Sequence, residues 1–116
     1  WNPFIREMEG ELREGERLRI ILKQPNRKAM TIKPKVVELR PERELRWMGH
    51  LVVPGLFDGE HIFELIPAGP TTTRFVHREE FGGILVPMLW RMLDTDTRQG
   101  FEDMNRALKE RAESAA

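Results

Sequence analysis

From position 82 to the end of the chain, Val86, Trp90, Leu93, Thr97, Phe101, Met104 and Leu108 recur at steps of three and four. That spacing keeps residues on one side of an α-helix and predicts one long helix over 82–113 with its stripe against a core. Glu102, Asp103, Arg106, Lys109 and Glu110 fall largely outside the stripe, so the second half is amphipathic with its other face in water. Leu85, Met88, Leu89 and Met92 add a second apolar patch to the first half. That end therefore needs a second partner: a ligand, another subunit, or further protein. Pro87 lies in the first turn, where its missing N–H breaks no helix bond, and Gly82 and Gly83 let the chain turn into the helix.

The chain before the helix has a period of two. Trp1 to Met8 predicts a loop entering a strand, and Gly10 and Gly15 bracket a polar turn. Leu18, Ile20 and Leu22 alternate with Arg17, Arg19 and Lys23 in a strand with one buried face. Lys28 to Leu39 repeats the pattern around Pro34, where a bulge or an edge position is expected. Leu45, Trp47, Gly49 and Leu51 alternate against Glu44, Arg46 and His50. The connection that follows, 52–58, carries Leu56 and Phe57 at its tip where a solvated loop would be polar, so it is expected to fold over an apolar opening. Gly59 to Ile66 and Thr71 to Phe81, separated by Pro67, Ala68, Gly69 and Pro70, form a hairpin. Five or six meandering strands before one terminal helix define an α+β fold, an antiparallel sheet curling around the helix.

With 116 residues the chain supplies one domain with one core. Nineteen basic and nineteen acidic residues cancel without forming long blocks, so nucleic acid is not an expected partner. Absence of cysteine removes thiol chemistry and agrees with a reducing cytoplasm. No apolar run approaches the roughly 20 residues that span a bilayer. There is no phosphate-binding glycine loop, dinucleotide fingerprint or calcium loop, and no cofactor is expected.

The candidate chemistry sits in the last hairpin. His61, Phe63 and Leu65 share one face of its first strand, and Phe75, His77, Glu79 and Phe81 one face of the second. Antiparallel pairing places His61 opposite or diagonal to His77 and Glu79. A Glu on that apolar wall is hard to ionise without a cationic partner, and the His residues are expected to titrate near neutrality, as a general acid or base must. A satisfied structural pair inside a curved sheet is the heavier reading of the same residues. A metal site from His61, His77 and Glu79 is the weaker one, without helical His spacing or cysteine to support it. Trp47 and Trp90 are core or cavity-wall residues, and Met88 with Met92 is core filler or an adaptable pocket lining. Arg40, Arg43 and Arg46, interleaved with Glu38, Glu42 and Glu44, make a solvated mixed-charge surface.

Several short stretches resemble one family across essentially the whole chain: Trp1-Asn2-Pro3-Phe4-Ile5, the Gly10 and Gly15 spacing, Leu45-Arg46-Trp47 with Gly49, and Gly59-Glu60-His61. Thr73-Arg74-Phe75 leading to His77, Glu79 and Phe81-Gly82-Gly83, and the run from Gly100-Phe101 through Met104-Asn105 to Leu108-Lys109, extend it. Together they are similar to the START-like, SRPBCC superfamily, in its bacterial polyketide cyclase/dehydrase-like branch. The resemblance implies a helix-grip fold, a curved antiparallel sheet around a long C-terminal helix enclosing an apolar cavity. It also implies that a first strand and two short helices would precede Trp1. Without them the domain is expected to expose apolar surface or to cover it with a neighbour, as in a homodimer.

Three functions compete at this point. The first is a binding module for a lipid, a polyketide-like aromatic or another hydrophobic metabolite, with Trp47, Gly49, Leu56, Phe57, Phe63, Phe75, Phe81, Leu89, Trp90 and Leu93 around the ligand. The second is a cyclase or dehydratase in which His61, His77 and Glu79 move protons on a carbonyl compound. The third is a protein-interaction module with a small cavity.

Overall fold

The structure is a computed structural model that describes residues 1–50, 55–87 and 93–115. Strands β1 (Ile5–Glu9), β2 (Arg19–Leu22) and β3 (Met30–Ile32) form one antiparallel sheet. Strands β4 (Lys35–Arg40), β5 (Glu44–His50), β6 (Asp58–Pro67) and β7 (Thr73–Gly82) form a second, in that order. A π-helical turn, Leu93–Thr97, then leads into helix α1, Arg98–Ala115.

Seven strands replace the expected five or six because Pro34 divides the 28–39 pattern into β3 and β4. Proline has no N–H to give to a ladder, so regular pairing is interrupted there. Its carbonyl still accepts from Leu18 N–H at 2.8 Å, and Val36 N–H donates to Glu16 O at 2.9 Å. With the Arg17–Lys35 bridge, these bonds carry the Ile20–Ile32 register past the proline without a slip. The two sheets are thus joined along one bent strand pair, and the bend wraps the apolar face toward the helix.

That face is the core: Phe4, Leu18, Ile20, Leu22, Val36, Trp47 and Met104, with Phe63 and Phe101 packed against it. Burying each large side chain contributes about 1.5–3 kcal/mol. Phe4 is aimed inward by Asn2, whose Oδ1 accepts from the Phe4 and Ile5 N–H groups, both at 3.0 Å. Gly100 completes the fit, since a Cβ there would stand 2.7 Å from Phe4 Cδ1.

The helix departs from the expected 82–113 at its start. β7 runs on to Gly82, and Gly83 turns the chain at φ +108° beneath the Leu56 carbonyl, so the first helical residues are Val86 and Pro87. Ile84 and Leu85 N–H donate to Gly55 O and Leu56 O at 3.2 and 3.0 Å, which ties the apolar loop to the entrance of the helix. Ile84 itself is exposed. Met88, Leu89 and Met92 of the expected second patch and Trp90 of the stripe lie outside the described residues, as do Leu51 of the strand pattern and positions 52–54 of the loop. Downstream, the stripe packs as expected: Thr97 and Met104 are buried, and Phe101 and Leu108 half-buried.

Candidate functional site

Pairing between β6 and β7 sets His61 opposite Glu79 and Phe63 opposite His77, all on the inner face. This is the juxtaposition expected from the short connection between the strands. His61 Nε2 lies 2.5 Å from His77 Nε2, and His61 Nδ1 lies 3.3 Å from Glu79 Oε1. The helix adds a residue that the strand pattern does not place at the site: Asn105 Oδ1 is 2.8 Å from His77 Nδ1. Four side chains therefore form one line, Glu79, His61, His77, Asn105. Its sequence signal is a single amide four residues after Phe101, beside Met104 of the stripe.

Aromatic rings hold the line in place. Phe101 stacks on His77 at 3.8 Å and 11°, Phe63 on His61 at 4.4 Å and 17°, and Trp47 meets His61 edge-on at 5.1 Å. His61 is only 1 % exposed. Gly59 faces the Glu79 carboxyl, and a Cβ at that position would be 3.3 Å from Oε2. Glycine is what leaves the carboxyl its room.

Burial governs the charges. It pushes His61 well below the ordinary imidazole range, with His77 alongside adding to the effect. Burial lowers His77 to about 4, against an opposing push from its Asn105 hydrogen bond. Burial raises Glu79 to about 7. The expectation that the imidazoles titrate near neutrality is therefore corrected. Desolvation keeps them neutral, and Glu79 is the group that titrates there.

The line borders a cleft of about 480 Å³ between β7 and the helix. Phe81, Val86 and Phe101 supply apolar wall, and His77, Glu79, Thr97 and Asn105 supply polar groups. Arg78, Arg98 and Glu102, all exposed, also border it. Of the residues expected around a ligand, Phe81 lines this cleft. Trp47 is in the core, and Phe63 packs against it beneath the histidines. Phe75 lies beside Phe63 at 6.2 Å, and Phe57 stacks on Phe81 at 5.5 Å, behind the lining. Leu56 holds the loop to the helix entrance through its carbonyl, and Gly49 faces open space. Leu89 and Trp90, and the side chain of Leu93, lie outside the described residues. A second hollow of about 570 Å³ lies along the far end of the helix between Trp1 and Arg111. It is an open surface groove in which the Arg111 guanidinium sits 5.4 Å from the Trp1 ring centroid, and none of the buried titratable groups reaches it.

A bent antiparallel sheet closed by a C-terminal helix is an α+β helix-grip arrangement. The family model described as "Polyketide cyclase / dehydrase and lipid transport" matches residues 1–113, and the chain belongs to that family. No curated protein and no solved structure matches the chain at a significant level. Among the described residues, no helix is long and apolar enough to cross a membrane.

Proposed function

We propose that the protein binds a hydrophobic small molecule, such as a lipid or a polyketide-like or aromatic metabolite, in the cleft between β7 and α1. The observation that carries this reading is the cleft's lining, in which Phe81, Val86 and Phe101 supply an apolar wall beside the polar groups of His77, Glu79, Thr97 and Asn105. Its volume of about 480 Å³ suits a ligand of metabolite size, and the family's description includes lipid transport. Native mass spectrometry followed by denaturing release should recover a hydrophobic molecule at a defined stoichiometry. Displacement of 1-anilinonaphthalene-8-sulfonate by candidate ligands should weaken at least about tenfold in Val86→Trp, which fills the cleft. Unchanged displacement in that variant would remove the cleft from the reading, and an empty dimer in the mass spectrum would favour the interaction module.

The line of Glu79, His61 and His77 favours a second reading, a cyclase or dehydratase in which these groups move protons on a bound carbonyl compound. Glu79 is the group poised for it, holding a proton up to about pH 7 at the cleft wall. Turnover of an identified substrate that survives apolar replacement of both His77 and Glu79 would eliminate this second reading.

A further inference from the structure

Strand β7 ends the second sheet, and β6 is its one neighbour among the described residues. Its ladder with β6 runs from Asp58–Gly82 to Pro67–Thr73 without a bulge, and the strand carries no proline or lysine. A long, regular edge of that kind is a template for another strand. The bonds near the hairpin fix which groups the edge offers. Ala68 N–H donates to Thr72 O at 2.9 Å, and Leu65 N–H turns the other way, to Arg43 O at 2.7 Å. Successive residues of a strand alternate the side to which their N–H and C=O point. The even-numbered residues from Arg74 to Glu80 therefore bond to β6, while the odd-numbered ones from Thr73 to Phe81 present both groups to the open edge. The cleft reaches this edge, since inward His77 and Glu79 border it together with outward Arg78.

Two such edges pairing antiparallel about a twofold axis must set odd-numbered residues opposite one another, because only those have groups to exchange. Centred on His77, the pairing puts Arg74 of each copy opposite Glu80 of the other, in non-hydrogen-bonded positions where side chains stand closest. Arg74 has no ion-pair or hydrogen-bond partner among the described residues, and Glu80, 60 % exposed, has room for a second partner beside Arg78. The neighbouring registers oppose like charges: Arg74 meets Arg78 when the axis is at Val76, and Arg78 meets itself when the axis is there. We propose that two copies of this chain join β7 to β7 about an axis at His77, forming one continuous sheet and closing the open side of each cleft with the other copy's strand. The second copy's Phe81 then stands opposite Thr73 and its Phe75 opposite Glu79, adding aromatic surface to the wall that Phe81 and Phe101 begin. The pairing rests on the strand edge and holds whatever the cleft binds.

Sedimentation velocity over a dilution series should show a dimer that dissociates on dilution. Arg74→Glu sets like charges opposite at two symmetric positions and should raise the dissociation constant at least about tenfold. Arg74→Glu/Glu80→Arg reverses both members of each pair and should restore the constant to within about threefold. Both positions are exposed, so circular dichroism should be the same for all three proteins. The chain has no cysteine, which makes the register readable by cross-linking. Val76→Cys/Arg78→Cys should form a disulfide-linked dimer in oxidised glutathione, whereas Arg78→Cys alone, opposite itself only in the rejected register, should not. A monomer at every concentration overturns the pairing, including one whose Phe75, His77 and Glu79 amides are protected from exchange by more of its own chain. A dimer indifferent to both charge variants, or one linked through Arg78→Cys alone, overturns it as well.

Discussion

The two faces of the β6–β7 hairpin carry the same kinds of residue in opposite electrostatic states. On the outer face Arg78 pairs with Glu64 at 3.0 Å and Glu80 at 3.2 Å, and on β5 Arg46 pairs with Glu44 at 2.9 Å and Glu60 at 3.4 Å. These charges are made in pairs at the edge of solvent, and their aliphatic stems help to cover Ile62, which is fully buried. One residue along the strand, Glu79 points inward, meets imidazole and aromatic rings, and keeps its proton to about pH 7. Adjacent glutamates thus differ because a strand turns successive side chains to opposite faces, and only one face retains water and counter-charge. The hairpin is a surface of paired charges on one side and a desolvated line of titratable groups on the other.

The contrast is broken most severely from the inside. Trp47→Ala removes the ring that meets both His61 and Phe63 and leaves a cavity in the core. It should cost about 3–5 kcal/mol in urea unfolding, at the upper end of truncation effects. Next in size is the pH response. Glu79 in the fold binds its proton to about 7 against an ordinary 4.5, so between those values the native state holds more protons than the unfolded chain. Its contribution is present below about pH 4.5 and lost as pH rises to 7. His77, lowered to about 4, works in the opposite sense: stability is kept above 6.5 and lost as pH falls toward 4, and His61 adds in the same direction. The Glu79→Gln variant isolates the carboxyl. Its stability relative to the native protein should climb by on the order of 3 kcal/mol between pH 4.5 and 7, then level off. A flat difference would show that Glu79 is not held neutral.

A smaller effect is expected at Gly59, where the methyl of Gly59→Ala would stand 3.3 Å from Glu79 Oε2. The carboxyl must yield, so unfolding should show a loss of about 1–2 kcal/mol. Glu79→Ala/Gly59→Ala should then show non-additivity, because Glu79→Ala removes the carboxyl that the new methyl would meet. The smallest effect belongs to the outer face. Arg78→Ala should change stability by less than about 1 kcal/mol, and that difference should shrink further in 1 M salt. A loss there as large as that of Trp47→Ala would erase the distinction between the faces.

Much of this arrangement was legible along the chain. Alternation in β2, β5, β6 and β7 marks inner and outer positions, and the short connection after Pro67 brings His61, His77 and Glu79 together by pairing alone. The mixed charges around Arg40 and Arg46 identify the outer face in the same way. Three features were not legible. The break at Pro34 reads as a bulge in one strand, whereas pairing through Leu18 and Glu16 makes it the bend that joins two sheets. The apolar run after Gly82 reads as helix from its start, whereas Gly83 turns beneath Leu56 before the first helical turn. The histidines read as groups near neutrality, whereas packing under Phe101 and beside Trp47 removes the water that would charge them.

Which residues share a face and which strands are neighbours can be read along the chain, because side-chain alternation and short hairpins are local consequences of backbone geometry. Tertiary structure alone decided that Asn105 meets His77 across 28 residues of chain, and that the helix closes the cleft against β7. It also decided the protonation of the line from Glu79 to Asn105. Charge state depends on how much water remains around a group, and that is settled only when the helix is laid against the sheet.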